Sequence, residues 1–311
     1  MIVRDDLPPI EGWAGGLPMV LFKTDLDILL TWAYLNDASD IVLSAGNPPA
    51  ILRYGRVIKI GSRLLGHQEM QNLCNAVSDG AGSGVQAGRD FDFAYEVPNL
   101  DQSGYYRFRS NITATAAGVS LTLRAIPEFP PTIESYGLEE PLCRFMRLNR
   151  GLILVTGSTG SGNTTMLAGV LHSRLLEEYV NVVTYESPPE FIYTGLPNLK
   201  GLISQTDVPN HLATYSHAVR NSLRRAPQIV LVGEARDAET IDGMVTEVRT
   251  GHTVYSTVHT ESAPGTIDRI IRSFPVDQWE SARVSILDSV RVIVHQRLVP
   301  DTKGKRVALR E

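Results

Sequence analysis

Two patterns of hydrophobic positions divide this 311-residue sequence. Before about residue 126, short apolar runs alternate with polar residues, as in the DFDFAYEV of residues 90–97, and this period of two is typical of half-buried strands. From Gly151 onward, continuous apolar runs such as the LILV of residues 152–155 alternate with segments of helical period. Because strands buried on both faces lack polar alternation, the second half predicts a doubly wound, largely parallel sheet.

Shifts in composition place the domain boundaries. Residues 1–23 are rich in proline and glycine and are expected to be irregular, and a mixed α+β domain is expected over residues 24–126. Prolines stiffen the next stretch, which predicts a linker over residues 127–137. The remainder, residues 138–311, is expected to form the α/β domain.

The elements of the first domain follow from periodicity and turn residues. Thr24 or Asp25 is expected to cap a helix over residues 26–35, and a second helix is expected over residues 67–77. The glycine-rich run AGSGVQAG at residues 81–88 predicts a flexible loop. Strands are expected at residues 41–43, 50–54, 56–60, 90–97, 105–113 and 119–126.

The second domain is predicted from alternating strand and helix patterns. Its strands are expected at residues 152–156, 182–185, 229–233, 254–258 and 290–295, with a further strand near the end of the chain at 306–311. Its helices are expected at residues 139–148, 165–178, 212–225, 238–249, 265–273 and 279–287. This order predicts a ligand site at the carboxyl ends of the strands.

Composition narrows the classes of function. The apolar fraction of 43% and the charged fraction of 20% are those of an ordinary globular protein, and a net charge of −5 argues against general attraction to nucleic acid or anionic lipid. Cys74 and Cys143 lack metal-ligand spacing and are expected to be buried thiols of a reducing compartment. No apolar run reaches the ~18–20 residues of a membrane span, and the N-terminus is unlike a signal peptide. A cytoplasmic protein is expected.

The most informative stretch runs from Gly151 to Thr165, GLILVTGSTGSGNTT. A strand, a glycine loop and a helix in this order allow backbone N–H groups and a helix N-terminus to surround phosphate oxygens. The loop matches the pattern G-x-x-x-x-G-K-[ST] at Gly157 and Gly162 and places a threonine at the Mg²⁺-ligating position. Asn163 stands where the pattern has lysine, so the motif lacks its one formal charge. A glycine turn without a ligand is the alternative.

Two carboxylates follow predicted strands of the same sheet. Glu234 ends the apolar run at residues 229–233, where a P-loop nucleotidase places an acid that holds Mg²⁺ or polarises water. Glu186 ends the run at residues 181–185 and could orient a water for attack on the γ-phosphate. For each acid, a strand that ends in a surface carboxylate is the alternative.

Histidines and arginines add weaker candidates. His252 and His259 bracket the strand at residues 254–258, and their odd spacing predicts side chains on opposite faces. Structural histidines are the alternative. Three arginines lie on the later strands of the first domain, where they form either a solvated face or donors to a neighbouring subunit's phosphates. They are Arg107, Arg109 and Arg124, of which the first two share one face.

Taken together, these stretches resemble the secretion ATPase superfamily that includes PilT, and they look nearest to its DotB/TraJ branch, which serves type IVB secretion and conjugation. The resemblance rests on four boxes in the family order, Walker A, Asp box, Walker B and His box. The boxes are Gly151–Thr165, Tyr185–Glu190, Leu231–Asp237 with Ala238–Ile241, and Thr250–Thr260. Further similarity lies in Ala38–Gly46, Arg107–Asn111, Leu123–Pro127, Val219–Pro227 and Gln296–Glu311.

The resemblance implies a PAS-like N-terminal domain followed by a RecA-like P-loop ATPase domain with a mainly parallel sheet. It implies a homohexamer that binds ATP and Mg²⁺ between subunits and works at the cytoplasmic face of an inner-membrane secretion complex. Glu186, Glu234, His252 and His259 would be catalytic, and Thr164 with Glu234 would hold Mg²⁺. The nucleotide would contact Gly157, Ser158, Thr159, Gly160, Ser161, Gly162, Asn163, Thr164 and Thr165, with Arg107, Arg109 and Arg124 from a neighbouring subunit.

The sequence departs from the family at Asn163, at Ser187 in place of the usual aspartate, and at Pro189 in place of an aliphatic residue. The family's C-terminal helical segment is also expected to be absent. Three hypotheses follow. The first is a motor ATPase whose hydrolysis is impaired by Asn163, and the second is a non-catalytic ring or regulatory subunit that binds nucleotide. The third, a nucleic-acid motor, is disfavoured by the acidic charge balance, so no direct nucleic-acid binding is expected.

Overall fold

A computed structural model describes residues 7–13, 16–78, 80, 90–100, 104–127, 129–208, 210–300 and 306–311. The loop predicted at residues 81–88 lies outside these described residues. The chain divides into two compact units, residues 1–128 and 129–311. Residues 129–137, which belong to the predicted linker, fall in the second unit.

The first unit is an antiparallel sheet with helices packed on one face. The sheet order is β3-β2-β1-β6-β5-β4. Leu26, Leu29 and Leu30 of the first helix are buried in the same core as Leu43 and Phe108 of the strands. In chain order, the elements are α1 (Lys23–Leu35), β1 (Ala38–Ser44), β2 (Ala50–Arg53), β3 (Arg56–Lys59), α2 (His67–Val77), β4 (Phe91–Pro98), β5 (Tyr105–Thr115) and β6 (Gly118–Ile126).

The predicted cap of α1 is wrong. The helix begins at Lys23 with Phe22 as its N-cap, because Asp25 accepts a hydrogen bond from the Phe22 backbone N–H at 2.9 Å from inside the first turn. A carboxylate at the third helical position can bond to the backbone N–H of the N-cap residue, so the start of this helix does not need a carboxylate at the cap itself. In the same unit, Cys74 is buried as expected, whereas in the second unit Cys143 is half-buried, and both are free thiols.

The second unit is a seven-stranded sheet in the order β13-β12-β7-β11-β10-β8-β9. All neighbouring pairs are parallel except β12 with β13, which confirms the predicted mainly parallel sheet. The strands are β7 (Gly151–Thr156), β8 (Asn181–Glu186), β9 (Leu202–Asp207), β10 (Ile229–Val232), β11 (Thr253–Val258), β12 (Val290–Pro300) and β13 (Arg306–Arg310). The helices are α3 (Ile133–Tyr136), α4 (Glu140–Met146), α5 (Asn163–Glu177), α6 (Tyr215–Ser222), α7 (Ala238–Arg249), α8 (Ala263–Ile271) and α9 (Trp279–Ser289).

Two cores cover the faces of this sheet and explain its continuous apolar runs. Along β7, Leu152 and Leu154 pack into the cluster that holds α6 and α7, whereas Ile153 and Val155 pack into the cluster that holds α5. Each successive side chain of a strand points to the opposite face, so a strand covered on both sides has no solvent-facing position.

Arg174 anchors the C-terminal end of α5. Its side chain is 3% exposed and donates hydrogen bonds to the Tyr255 hydroxyl at 3.1 Å and to the Leu148 carbonyl at 3.2 Å. It also forms an ion pair with Glu178, with Nη2 and Oε2 2.7 Å apart. This end of the helix is therefore tied to β11 and to the segment that precedes β7.

Two predictions for the second unit are wrong. The edge strand β9 was not expected from its sequence LISQTD, because four polar residues in six give little apolar signal. Helix α6 begins at Tyr215 rather than near residue 212, since the Thr214 hydroxyl accepts a hydrogen bond from the His217 backbone N–H at 3.2 Å and caps the helix there.

Candidate functional site

The parallel strands bring the predicted site to one edge of the sheet. β7 leads into the glycine loop and pairs in register with β11, Val258 lying opposite Thr156, so His259 stands beside the loop. Its Nδ1 lies 3.3 Å from the Gly157 carbonyl oxygen, and its Nε2 lies 3.8 Å from Oε1 of Glu234, which follows β10. β10 in turn pairs with β8, whose last residue is Glu186.

The glycine loop connects β7 directly to α5. Gly157, Gly160 and Gly162 have φ values of +153°, +79° and +85°, and Gly162 is the N-cap of α5. Positive φ suits glycine because it has no Cβ, so the chain can turn sharply into the helix at little cost. The loop residues Ser158 and Thr159 and the helical residue Thr164 are exposed and accessible to a ligand.

Substituting Gly157 tests how tightly the loop is packed. A Cβ on Gly157 would lie 2.3 Å from the backbone oxygen of Gln296 on β12 and 2.6 Å from the Ser161 hydroxyl. Because the backbone of an internal strand cannot move aside, Gly157→Ala is expected to lower the free energy of unfolding by about 1–3 kcal/mol.

The matched control is Gly160→Ala, which also places a Cβ at a positive φ but meets no atom within 4 Å, so it carries the backbone strain without the clash. Chemical denaturation of both variants measures the difference. Equal stability losses at the two positions would contradict the close packing of the loop against β12.

Asn163 is folded into the loop rather than extended from it. Its side chain is buried and lies 3.0 Å from the Ser161 hydroxyl oxygen. With the amide oriented so that both ends are paired, its nitrogen donates to the Thr156 carbonyl at 3.2 Å and its oxygen accepts from the Gly157 N–H at 3.3 Å. The side chain at the lysine position therefore closes the loop on itself and carries no charge.

Glu186 is a buried carboxylate with few partners. Its side chain accepts hydrogen bonds from the Thr184 hydroxyl at 2.6 Å and from Gln205 Nε2 at 3.4 Å. Burial raises the pKa of Glu186 above its usual range, because the charged form loses hydration that these two donors and the Glu190 backbone N–H only partly replace. A carboxylate of raised basicity suits the abstraction of a proton from water.

Glu234 lies at a polar cleft beside the loop. Its Oε2 is 2.5 Å from Nη2 of Arg236, whose side chain is largely exposed. A cavity of 310 Å³ opens here, and Arg236, His259 and Arg269 contribute to its lining. The glutamate is therefore accessible and is held by a cation that solvent can reach.

His252 does not join this group within one subunit. It precedes β11, at the amino edge of the sheet, where its backbone oxygen accepts from Gly151 N–H at 3.2 Å. Its Nδ1 lies 3.0 Å from Oε2 of the buried Glu247. His252 therefore lies at the amino end of β11 and His259 at its carboxyl end. The catalytic role predicted for His252 stays a prediction.

The three arginines share the face of the first unit's sheet that lies opposite its helices. Arg109 pairs in register with Arg124, and Arg107 is two residues away on the same strand. Arg107 forms an ion pair with Glu96 at 3.2 Å, and Arg124 forms one with Asp40 at 2.8 Å. The prediction that Arg107 and Arg109 lie on one face agrees with the burial pattern of β5.

A metal ion held without a nucleotide would depend on a group of ligating side chains among the described residues. In the part of the chain that the structure describes, no group of three or more His, Cys, Asp or Glu side chains could hold a metal ion. A Mg²⁺ ion at Thr164 and Glu234 would need most of its ligands from nucleotide phosphates and water, which is how Mg²⁺ is usually bound with nucleotides.

Sequence reasoning missed a set of residues behind the loop. Gln296 of β12 is fully buried and donates to the Ser161 carbonyl at 2.6 Å, and the Tyr136 hydroxyl donates to the Gly162 carbonyl at 3.1 Å. Arg310 of β13 donates to the Gln296 side chain at 2.8 Å. The one signal in the sequence is a glutamine at the end of the apolar run of β12, and no local pattern connects it to the loop.

A parallel sheet whose carboxyl edge carries a glycine loop, a helix N-terminus and neighbouring acids defines a P-loop nucleotide-binding domain of the RecA-like class. Residues 99–309 match the family model of the type II/IV secretion system proteins. The chain therefore belongs to this family, among its PilT-like secretion ATPases.

Known proteins and solved structures match this chain over most of its length. The type IV pilus retraction ATPase PilT of Pseudomonas aeruginosa is 36% identical over 288 residues, which are 92% of this chain and 81% of that protein. The X-ray structure of the Legionella pneumophila ATPase DotB is 34% identical with a TM-score of 0.88, covering 99% of this chain and 84% of that one. The pilus retraction motor PilT with bound ADP is 30% identical with a TM-score of 0.78, covering 92% and 82% of the two chains.

These relatives support the two-domain fold expected from the sequence, an N-terminal α+β domain followed by a RecA-like ATPase domain. Within the described residues, every helix is too short or too polar to cross a membrane.

Proposed function

We propose that this chain is the ATPase subunit of a type IVB secretion or conjugative transfer system and that it acts as a homohexamer at the cytoplasmic face of an inner-membrane complex. The observation that carries this proposal is that the glycine loop, Glu186, Glu234 and His259 all lie at the same edge of the sheet, with His259 in contact with the loop and 3.8 Å from Glu234. The similarity to DotB and PilT supports it.

The residues of the loop suit the phosphates of ATP. Backbone N–H groups of residues 157–165 and the N-terminus of α5 would hold them, since the positive-φ glycines allow the backbone to approach closely. Thr164 and Glu234 would hold Mg²⁺, which supplies positive charge at the phosphate oxygens when it is bound. Arg107, Arg109 and Arg124 of a neighbouring subunit would contribute further positive charge, as planar donors suited to phosphate.

The acids would divide the work of hydrolysis. Glu186 would accept a proton from the attacking water, since burial raises its basicity. Glu234 would act at the accessible cleft beside the loop, and His259 would sense the phosphates because it lies beside both the loop and Glu234. His252 is proposed to respond to the nucleotide state only indirectly, through β11.

Asn163 is proposed to impair turnover more than binding. Backbone donors are retained, whereas the missing ammonium would have stabilised the charge that builds up in the transition state. The second candidate function, a non-catalytic nucleotide-binding ring or regulatory subunit, is favoured by one observation, the burial of Asn163 in hydrogen bonds within the loop.

The proposal is tested by nucleotide binding and assembly of this chain. We expect ADP to bind in calorimetry and ATP with Mg²⁺ to shift the mass of the particle, by light scattering, from one subunit toward six. Arg109→Ala, on an exposed strand position far from the glycine loop in sequence, is expected to weaken ATP binding only in the assembled form. The lack of any ADP binding would contradict the nucleotide site, and binding without assembly would contradict the ring.

A further inference from the structure

The phosphate loop is held from behind by two side chains that its motif does not include. Gln296 Nε2 donates to the Ser161 carbonyl at 2.6 Å and to the Tyr136 hydroxyl at 2.8 Å. The Tyr136 hydroxyl in turn donates to the Gly162 carbonyl at 3.1 Å. Two successive carbonyl groups of the loop are thus bound from behind by these side chains. The Gly162 carbonyl also accepts the first hydrogen bond of α5, from the Met166 N–H at 2.9 Å, so Tyr136 adds to the hold of the helix there, whereas Gln296 acts on a carbonyl outside the helix.

Arg310 fixes the direction of these hydrogen bonds. Its Nε–H, which can only donate, lies 2.8 Å from Oε1 of Gln296, so the amide nitrogen of Gln296 must face Ser161 and Tyr136. Arg310 also contacts both carboxylate oxygens of Glu139, at 2.9 and 2.8 Å, and its guanidinium lies 5.0 Å from the centroid of the Tyr136 ring. Gln296 is fully buried, so its own hydrogen bonds are shielded from water, whereas the Glu139 carboxylate is exposed.

The planarity of the peptide group transmits this orientation to the opposite side of the loop. In a trans peptide, the C=O and the following N–H point in opposite directions. When the carbonyls of Ser161 and Gly162 face β12, the N–H groups of Gly162 and Asn163 face away from it. The N–H of Asn163 belongs to the first turn of α5, where backbone donors have no partner within the helix.

Close packing leaves the loop little freedom to turn. A Cβ on Gly162 would lie 3.0 Å from Gln296 Nε2 and 3.1 Å from the Tyr136 hydroxyl. Tyr136 and Gln296 therefore contact the backbone of the loop directly. No loop side chain lies between them and the backbone that could adjust to a substitution of Tyr136 or Gln296.

We propose that Tyr136 and Gln296 are positioning residues, which aim the N–H groups of Gly162 and Asn163 at the nucleotide's phosphates, with Arg310 fixing the direction of the Gln296 amide. This inference rests on the proposed nucleotide site. The ligand group concerned is the β-phosphate of a nucleoside diphosphate or triphosphate, since the backbone of a P-loop surrounds the inner phosphates.

Tyr136→Phe removes one hydroxyl and keeps the ring beneath Arg310. We expect this variant to bind ADP about 3–10-fold more weakly, the effect of losing one orienting hydrogen bond. Competition against a fluorescent ADP analogue measures the affinities of ADP and of AMP, which lacks the β-phosphate. The affinity for AMP is expected to stay within about twofold, because only the β-phosphate depends on these N–H groups.

The matched control is Tyr193→Phe. Tyr193 is buried in the same unit, and its hydroxyl donates to the Ala168 carbonyl of α5 at 3.1 Å, one helical turn beyond the loop. Removing the Tyr193 hydroxyl breaks one hydrogen bond to a backbone carbonyl, as Tyr136→Phe does, but that carbonyl belongs to α5 and not to the loop. We expect a similar fall in melting temperature and no change in ADP affinity. Gln296→Met, which removes the donor to Ser161 at similar size, is the second test and is expected to weaken ADP binding in the same selective way.

Three outcomes would overturn the inference. ADP affinity unchanged in both Tyr136→Phe and Gln296→Met, equal losses for ADP and AMP, or an equal loss of ADP affinity in Tyr193→Phe would each show that the contacts only stabilise the fold. Failure of the unsubstituted chain to bind ADP is a different result, because it overturns the proposed nucleotide site and this inference together.

Discussion

Replacing Asn163 by lysine is expected to raise the kcat of ATP hydrolysis by about 10²–10³-fold, the scale of adding one preorganised charge donor to a transition state. Asn163 now reaches only atoms of its own loop, namely Ser161, Thr156 and Gly157. A lysine at the first position of α5 extends beyond the loop and carries an ammonium toward the bound phosphates. Because the transition state gathers more charge than the ground state, kcat is expected to rise more than the affinity for ATP.

Phosphate release measured for the original chain and for Asn163→Lys at the same Mg²⁺ concentration checks this expectation. Asn163→Gln is the matched control, since it lengthens the amide without adding charge and is expected to give no gain. An equal gain from Gln and Lys would show that release of the loop, and not charge, limits turnover. No gain from Lys would favour the non-catalytic nucleotide-binding ring.

Glu186→Gln, made in the Asn163→Lys chain, is expected to lower kcat by about 10²–10⁴-fold, the usual contribution of a general base. The amide keeps the size of the carboxylate, and its one oxygen can still accept from Thr184 and Gln205, which both bond to the same carboxylate oxygen. Asp207→Asn is the control, because Asp207 lies opposite Glu186 in the register of β8 and β9 but one strand further from the glycine loop. Comparable losses from both variants would contradict the role of Glu186.

The same substitution also has an expected effect on stability. Burial raises the pKa of Glu186 in the folded chain, so the folded state binds the proton more tightly than the unfolded state does. Stability from this group is present below the unfolded pKa and is lost as the pH rises through the folded pKa. Glu186→Gln is therefore expected to raise the melting temperature at neutral pH, with the gain vanishing in acid. A fall in melting temperature at neutral pH would contradict the burial cost.

Much of the second unit could be predicted because its information is local. The apolar run of residues 152–155 needs cover on both faces, and the glycines that follow allow only a sharp turn into a helix. Parallel pairing then requires the residues after β7, β10 and β11 to meet at one edge. The approach of His259 to Glu234 follows from strand order and register.

What could not be predicted depends on residues far apart in the chain. Tyr136 and Gln296 are 160 positions apart, and nothing near either one indicates that both contact the loop. The sequence placed His252 and His259 at the two ends of one strand, but it did not indicate that the Nδ1 of His252 lies beside the buried Glu247. The entry of α1 was misplaced because Asp25 acts from within the helix. Contacts between residues far apart in the chain, and the choice between several possible helix caps, are decided by the folded structure and not by the local sequence.

The fixation of α5 at both ends has a mechanical consequence. Its first residue follows the loop carbonyls held by Tyr136 and Gln296, and its last turn carries Arg174, which is bonded to Leu148. A helix of 15 residues is about 22 Å long and stiff along its axis. Any displacement of the loop along the helix axis would therefore be passed lengthwise to the amino edge of the sheet. The Leu148 carbonyl also accepts a hydrogen bond from the Thr253 hydroxyl at the start of β11. Leu148 would therefore connect a movement of α5 to the amino end of β11, on the side of the domain remote from the nucleotide.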